Sequence, residues 1–110
     1  METRRVILFG NSVILGTVGA SLRQRSQFEV TTLAPPFPAV EELAGMAPDI
    51  ILFDLQGPRP DAAFALLESC PSLLLVGVSS ERNEVTIWSG QHLTELSTQE
   101  LVQTIAHKMT

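Results

Sequence analysis

The chain has 110 residues, a formal net charge of −5 and a hydrophobic content of 45%, which suits one globular domain over residues 1–110 and excludes a chain disordered by composition. Acidic residues outnumber basic ones by 12 to 7 without any basic cluster, so we expect no nucleic-acid partner. No apolar run is long enough to cross a membrane, the single cysteine excludes an internal disulfide, and the first residues lack the pattern of a secretion signal, so we expect a cytoplasmic protein.

Short apolar runs recur along the first two thirds of the chain. They cover Val6–Phe9, Ile50–Phe53 and Leu73–Val76, and runs of this length without alternation are typical of strands that are buried on both faces of a parallel sheet. Phe28–Leu33 alternates between apolar and polar residues instead, which predicts a half-exposed strand at the edge of the sheet.

Helices are predicted between these strands and near the end of the chain. Ser12 is placed to cap a first helix that begins at Val13, and Gly16 and Gly19 within that helix would allow a close approach to the sheet. The other predicted helices are a short one through Val40 and Leu43, one over Ala62–Ser69 capped by Asp61, and a last one capped by Thr98. Alternating strands and helices predict an α/β protein with right-handed crossovers.

The segment after Val78 departs from this alternation. Only residues 79–83 separate it from the strand-like segment Glu84–Trp88, whereas a parallel crossover needs about a dozen residues or more. We therefore predict an antiparallel hairpin at this point, with Gln91–Leu96 returning as a further short strand. The expected sheet is parallel in its first half and a meander in its second half.

The order of these elements, with Asp54 at the end of the third strand, resembles the receiver domain of two-component response regulators. The resemblance spans roughly residues 4–80 and is closest over Pro48–Leu55, because receivers place their phospho-accepting aspartate where Asp54 stands. It implies a three-layer, flavodoxin-like α/β sandwich, in which the C-terminal hairpin replaces the fourth crossover helix. It also implies a crevice at the carboxyl ends of the strands, formed around Asp54 by Gly10, Asn11, Ser12 and Ser79.

Several charged residues that a receiver uses around its phospho-acceptor are absent from this sequence. The acidic pair after the first strand is replaced by Gly10 and Asn11, and the lysine after the fifth strand by Gln91 or Thr94, whereas the only lysine, Lys108, falls in the last predicted helical turn. Mg²⁺ prefers carboxylate and phosphate oxygens, and the two histidines have no partners at ligand spacing. We therefore expect no metal and no cofactor.

The leading hypothesis is a pseudo-receiver, a non-enzymatic signalling module that acts by protein–protein interaction without Mg²⁺-dependent phosphotransfer. The resemblance implies a sensor kinase or another regulator as its partner. Two alternatives stay open. One is a response regulator that accepts a phosphoryl group on Asp54. The more distant one is an enzyme or small-ligand-binding domain that uses the crevice of Gly10, Asn11, Asp54 and Ser79.

Trp88, the only tryptophan, marks a candidate interaction surface. If Val85 and Ile87 face the core, Trp88 faces outward on the side that lacks a crossover helix, unless the last helix covers it. Together with Leu101 and Ile105 on the apolar stripe of that helix, Trp88 could support a homodimer.

Overall fold

A computed structural model describes residues 3–79, 81–82 and 84–89, together with the backbone of residues 93–97. The elements in chain order are β1 (Arg4–Phe9), α1 (Val13–Arg23), β2 (Phe28–Leu33), α2 (Val40–Gly45), β3 (Ile50–Asp54), α3 (Asp61–Ser69), β4 (Leu74–Ser79), β5 (Glu84–Trp88) and β6 (Leu93–Ser97). The predicted last helix, with Leu101 and Ile105, lies outside the described residues, as do Gln91 and Lys108.

The strands form one mixed sheet in the order β2-β1-β3-β4-β5-β6. The first four strands are parallel to one another, and β5 and β6 are each antiparallel to the strand before them. The order of the first four strands is that of flavodoxin-like folds. The predicted α/β class, the edge position of β2 and the antiparallel hairpin in place of the fourth crossover helix are therefore confirmed.

Both faces of the sheet carry a core, which explains why the strand sequences are continuously apolar. Alternate residues of the central strands pack with Leu15, Val18 and Leu22 of α1 on one side. The intervening residues pack with Leu43 of α2 and Leu66 of α3 on the other side. In β1 the four residues from Val6 to Phe9 are consequently at most 2% exposed. The sheet is the middle layer of three, as predicted.

Gly16 and Gly19 of α1 have different surroundings, which corrects the prediction that both approach the sheet. A Cβ atom on Gly19 would lie 2.7 Å from Cδ1 of Leu8, so this glycine does allow the helix to pack closely on β1. A Cβ atom on Gly16 would meet nothing within 4 Å. Gly16 lies three residues before Gly19 along the helix, but it points away from the core.

The start of α3 also differs from the prediction. Asp61 is the first residue of the helix and does not cap it, since the N-cap is Pro60, which makes no side-chain hydrogen bond. The carboxylate of Asp61 instead lies 3.4 Å from Nε of Arg59 at the surface. Asp61 still carries its negative charge in the first helical turn, where it interacts favourably with the helix dipole.

Candidate functional site

A cleft of about 180 Å³ opens at the carboxyl edge of the sheet, between the ends of β1 and β3. The chain leaves β1 through α1 on one face of the sheet and reaches β3 through α2 on the other face. Such a switch point is where open α/β sheets bind ligands. The residues that line the cleft are Phe9, Gly10, Asn11, Ser12, Leu15, Pro35, Phe37, Asp54, Gly57 and Pro58.

A short, well-anchored turn forms the side of the cleft next to β1. Gly10 has a φ of 112°, a conformation that glycine adopts readily because it has no Cβ atom, and its N–H donates to the carbonyl oxygen of Leu33 over 2.9 Å. Ser12 is the N-cap of α1, and its Oγ accepts a hydrogen bond from the N–H of Leu15 over 3.3 Å, as the sequence predicted. Asn11 stands between these two anchored residues and is exposed.

Asp54 ends β3 and forms the opposite side of the cleft, with a half-buried side chain. Its Oδ1 accepts a hydrogen bond from the N–H of Gln56 over 2.8 Å, and its carbonyl oxygen accepts one from the N–H of Gly57 over 3.0 Å. These bonds fold the loop after β3 into a tight turn that orients the carboxylate. Within the described part of the chain, no residue donates to Oδ2.

The cleft therefore contains one charged group, Asp54, among the described residues that line it. A carboxylate in this position can accept hydrogen bonds or attract a cation. Asn11 adds a neutral amide with one acceptor oxygen and two donor hydrogens. Nowhere in the described ranges do three or more His, Cys, Asp or Glu side chains group together in a way that could hold a metal ion.

Ser79 does not line this cleft, which corrects its place in the predicted crevice. The residue is 6% exposed at the end of β4, where it pairs with Glu84 across the hairpin. Its Oγ accepts a hydrogen bond from the N–H of Arg82 over 3.4 Å. The hydroxyl group is thus engaged in the hairpin turn, and only Gly10, Asn11, Ser12 and Asp54 of the predicted set come together.

Trp88 lies on the face of the sheet opposite Val85 and Ile87, as the alternation of β5 predicted, but this face is packed as well. The indole stacks on the ring of Phe53, with centroids 5.8 Å apart, and meets the ring of Phe64 edge-on at 5.2 Å. Trp88 is consequently half-buried and is covered in part by α3. The second core on that side therefore leaves Trp88 only partly exposed, and the last helix that was expected as its possible cover lies outside the described residues.

Sequence reasoning missed the apolar side of the cleft. Pro35 and Phe37 come from the loop after β2, and the Phe37 ring stacks on that of Phe9 with centroids 4.3 Å apart. The signal was available, because β2 and β1 are parallel neighbours and the loops that follow them must leave the same edge of the sheet. Gly57 and Pro58, in the loop after Asp54, were missed in the same way.

None of the helices in the described part of the chain is both long and apolar enough to span a membrane. No protein-family model matches the sequence, and no curated protein matches it either.

Among solved structures, the chain is similar to the RcsB response regulator of Salmonella typhimurium, which was described with respect to DNA interaction. The identity is 17% and the TM-score 0.47, over 72% of this chain and 43% of that one. A UDP-D-quinovosamine 4-dehydrogenase from Vibrio fischeri is similar with 13% identity and a TM-score of 0.45, over 91% of this chain and 98% of that one. This chain thus spans less than half of the RcsB chain. With identities and TM-scores this low, neither likeness carries an argument about function.

Proposed function

We propose that this chain is a receiver-like signalling module that acts through protein–protein contact in the cytoplasm and does not carry out Mg²⁺-dependent phosphoryl transfer. One observation carries the proposal. Asp54 ends β3 with a half-buried carboxylate, and the other described residues that line its cleft, Gly10 and Asn11 included, contribute no second carboxylate.

The charge of the cleft supports the absence of phosphotransfer. A receiver holds Mg²⁺ with its phospho-acceptor and an acidic pair, and the positions of that pair are Gly10 and Asn11 here. Glycine contributes no side-chain ligand and asparagine one neutral oxygen. Mg²⁺ gives up its hydration water reluctantly, so a single carboxylate holds the ion weakly and leaves the charge of an incoming phosphoryl group poorly compensated.

The hairpin supports a role in protein contact. The connection between β4 and β5 spans only residues 80–83, which is too short to hold a crossover helix between these two strands. Trp88 is half-buried against Phe53 and Phe64, and Leu55, the residue after β3, is 40% exposed. A half-buried tryptophan suits a protein interface, because its ring is apolar and its indole N–H can donate a hydrogen bond. The proposed partners are a sensor kinase, another regulator or a second copy of the chain.

Phosphotransfer is tested by incubating the protein with MgCl₂ and acetyl phosphate, followed by intact mass spectrometry. We expect no phosphoryl adduct on the wild-type chain. Asp54→Asn and Asp61→Asn serve as a matched pair, because both remove one carboxylate and Asp61 lies outside the cleft. A base-labile adduct on the wild type and Asp61→Asn, but not on Asp54→Asn, would establish a phospho-acceptor and overturn this part of the proposal.

Self-association is tested by sedimentation equilibrium at micromolar concentration. A mass twice that of the chain, which falls to the monomer mass in Trp88→Ala, would support a dimer through this surface. A monomer alone would remove the second copy from the proposed partners and leave the other two.

A further inference from the structure

We propose that the cleft beside Asp54 binds an organic cation, namely an ammonium or guanidinium group carried on a short apolar chain. This inference does not depend on the receiver-like function, because it follows from the charge, the walls and the size of the cleft. The cation can belong to a free small molecule or to a lysine or arginine side chain of a protein partner, and the experiment below separates the two sources.

The charge of the cleft selects a cation. Asp54 carries the only full charge among the described lining residues. Its Oδ1 is engaged with the N–H of Gln56, whereas no described residue donates to Oδ2. One carboxylate with one available oxygen matches a monovalent cation that donates N–H hydrogen bonds, and such charge-assisted bonds are the stronger kind. A divalent metal ion would need more oxygen ligands than the cleft offers.

The positive end of the α1 helix dipole offsets the negative charge of Asp54 only in part. A helix N-terminus behaves as roughly half a positive charge. One of the N–H groups in the first turn of α1, that of Leu15, already donates a hydrogen bond to Oγ of Ser12. The full negative charge of Asp54 outweighs that half charge. The carboxylate therefore repels an anion that would otherwise bind at the helix start, and the same carboxylate attracts a cation.

The walls of the cleft select an apolar carrier for the cation. Half of the lining residues are apolar side chains with no donor or acceptor, namely Phe9, Leu15, Pro35, Phe37 and Pro58. An alkyl chain packed on these walls removes water from the carboxylate, and charge interactions strengthen as the surroundings become less polar. A bare inorganic cation gains nothing from such walls.

The size of the cleft limits the ligand to a fragment. Its volume is about 180 Å³, below the roughly 300–1,000 Å³ of pockets that enclose drug-sized molecules. A chain of a few carbon atoms with a terminal ammonium or guanidinium group is small enough for the volume of this cleft. Asn11 lies on the opposite side of the cleft from Asp54, and its side-chain oxygen can accept a second hydrogen bond from the same cationic group.

The test is a titration of the protein with n-butylammonium, 1-butanol and butanoate, followed by ¹H–¹⁵N correlation spectra. These probes have similar apolar chains and differ in charge. We expect the backbone signals of Gly10, Asn11 and Gly57 to shift with n-butylammonium, which should bind roughly tenfold to hundredfold more tightly than butanoate, the range set by one charge-assisted hydrogen bond. Equal or tighter binding of butanoate would overturn the proposal.

The variants are Asp54→Asn and Asp61→Asn, which change the net charge equally. Asp54→Asn should weaken n-butylammonium binding roughly tenfold or more, whereas Asp61→Asn, whose side chain is 88% exposed, should leave it unchanged. The spectra report at the same time whether each variant is folded. Asn11→Lys is a second variant, which places a competing cation in the cleft and should abolish binding. Unchanged affinity in folded Asp54→Asn or Asn11→Lys would contradict the proposal.

The source of the cation is separated by Nα-acetyl-lysine N-methylamide, whose side chain ends in the same butylammonium group. If this blocked lysine binds as tightly as n-butylammonium, the cleft has room for the backbone of a partner, so a protein side chain can supply the cation. If only n-butylammonium binds, the ligand is a free small molecule. Both results support an organic-cation site, and binding of neither compound would overturn it.

Discussion

The indole of Trp88 stacks on the phenyl ring of Phe53, with ring centroids 5.8 Å apart and ring planes 26° apart. Phe53 immediately precedes Asp54, so the side chain next to the cleft carboxylate reaches Trp88 of β5 across the intervening strand β4. Phe64 of α3 meets both rings edge-on, at 5.8 and 5.2 Å, and the guanidinium of Arg59 lies 4.0 Å above the centre of the Phe64 ring. This aromatic cluster joins the hairpin to α3. In a sheet with a crossover between its fourth and fifth strands, a helix would pack beside α3 at this place.

We expect Trp88→Ala to lower the free energy of unfolding by about 2–3 kcal/mol. A fully buried aromatic side chain costs about 3–5 kcal/mol when it is cut back to alanine, and Trp88 is only half-buried. Trp88→Phe keeps an aromatic ring against Phe53 and should cost less than about 1.5 kcal/mol. Urea denaturation followed by circular dichroism measures both values without relying on the fluorescence of the tryptophan that is removed.

Val13→Ala is the matched control, because the Val13 side chain is also apolar but 88% exposed. Its effect should stay within about 0.5 kcal/mol. If Trp88→Ala is as mild as Val13→Ala, the aromatic cluster does not hold the hairpin in place.

The hairpin itself could be predicted from the sequence because a simple length limit decides it. Residues 80–83 are too few for a parallel crossover, whatever the rest of the chain does. The surroundings of Trp88 and Ser79 could not be predicted in this way. Alternation in β5 separates Trp88 from Val85 but cannot show that α3 reaches far enough to bring Phe64 against the indole, since that depends on how the helix lies across the sheet.

Part of the cleft, too, could be predicted from the sequence. Asp54 ends one buried strand and Gly10 follows another, and the carboxyl ends of parallel neighbours must meet at one edge of the sheet. Ser79 ends β4 at the same edge, but its hydroxyl group accepts a hydrogen bond from the N–H of Arg82 in the hairpin turn. The register adds a second reason, since Val78 and not Ser79 pairs with Asp54, so that Ser79 alternates to the other face of the sheet.

Gly16 and Gly19 of α1 should respond in opposite ways to the same substitution. A Cβ atom at Gly19 would lie 2.7 Å from Cδ1 of the buried Leu8, so Gly19→Ala forces the helix or the leucine to move and should cost about 1–3 kcal/mol. At Gly16 a Cβ atom meets nothing within 4 Å. Gly16→Ala should therefore stabilise the protein by about 0.5–1 kcal/mol, the gain expected when alanine replaces glycine within a helix.

The two alanine variants are each other's control, since they change the same helix in the same way. Thermal or urea unfolding of both gives the sign of each effect. Loss of stability in Gly16→Ala, or a gain in Gly19→Ala, would mean that α1 is rotated about its axis relative to the packing described above.

Gly77 of β4 is covered by the side chain of Leu55. A Cβ atom at Gly77 would lie 2.5 Å from Cδ2 of Leu55 and 3.1 Å from Cζ of Phe53. We expect Gly77→Ala to cost about 1–3 kcal/mol and to cost about 1 kcal/mol less when Leu55→Ala is also present, because the closest contact is then removed. Urea unfolding of the two single variants and the double variant gives this coupling directly.

The expected coupling is only partial, since the contact with buried Phe53 remains in the double variant. Purely additive effects would show that Leu55, which is 40% exposed, swings away from the added methyl group without cost. The destabilisation would then come from Phe53 alone.

Asn11→Asp should create Mg²⁺ binding in the cleft. The substitution places a second carboxylate on the opposite side of the cleft from Asp54, and the exposure of Asn11 allows the added charge without loss of the fold. Mg²⁺ is usually bound through one or two carboxylates and several waters, so a second carboxylate should raise the affinity at least about tenfold, as measured by calorimetry. The double variant Asn11→Asp with Asp54→Asn carries as many carboxylates as the wild type and should return to its weak binding. A gain that persists in the double variant would show that position 11 binds the ion without Asp54, whereas no gain in Asn11→Asp would show that the two side chains do not converge on one ion.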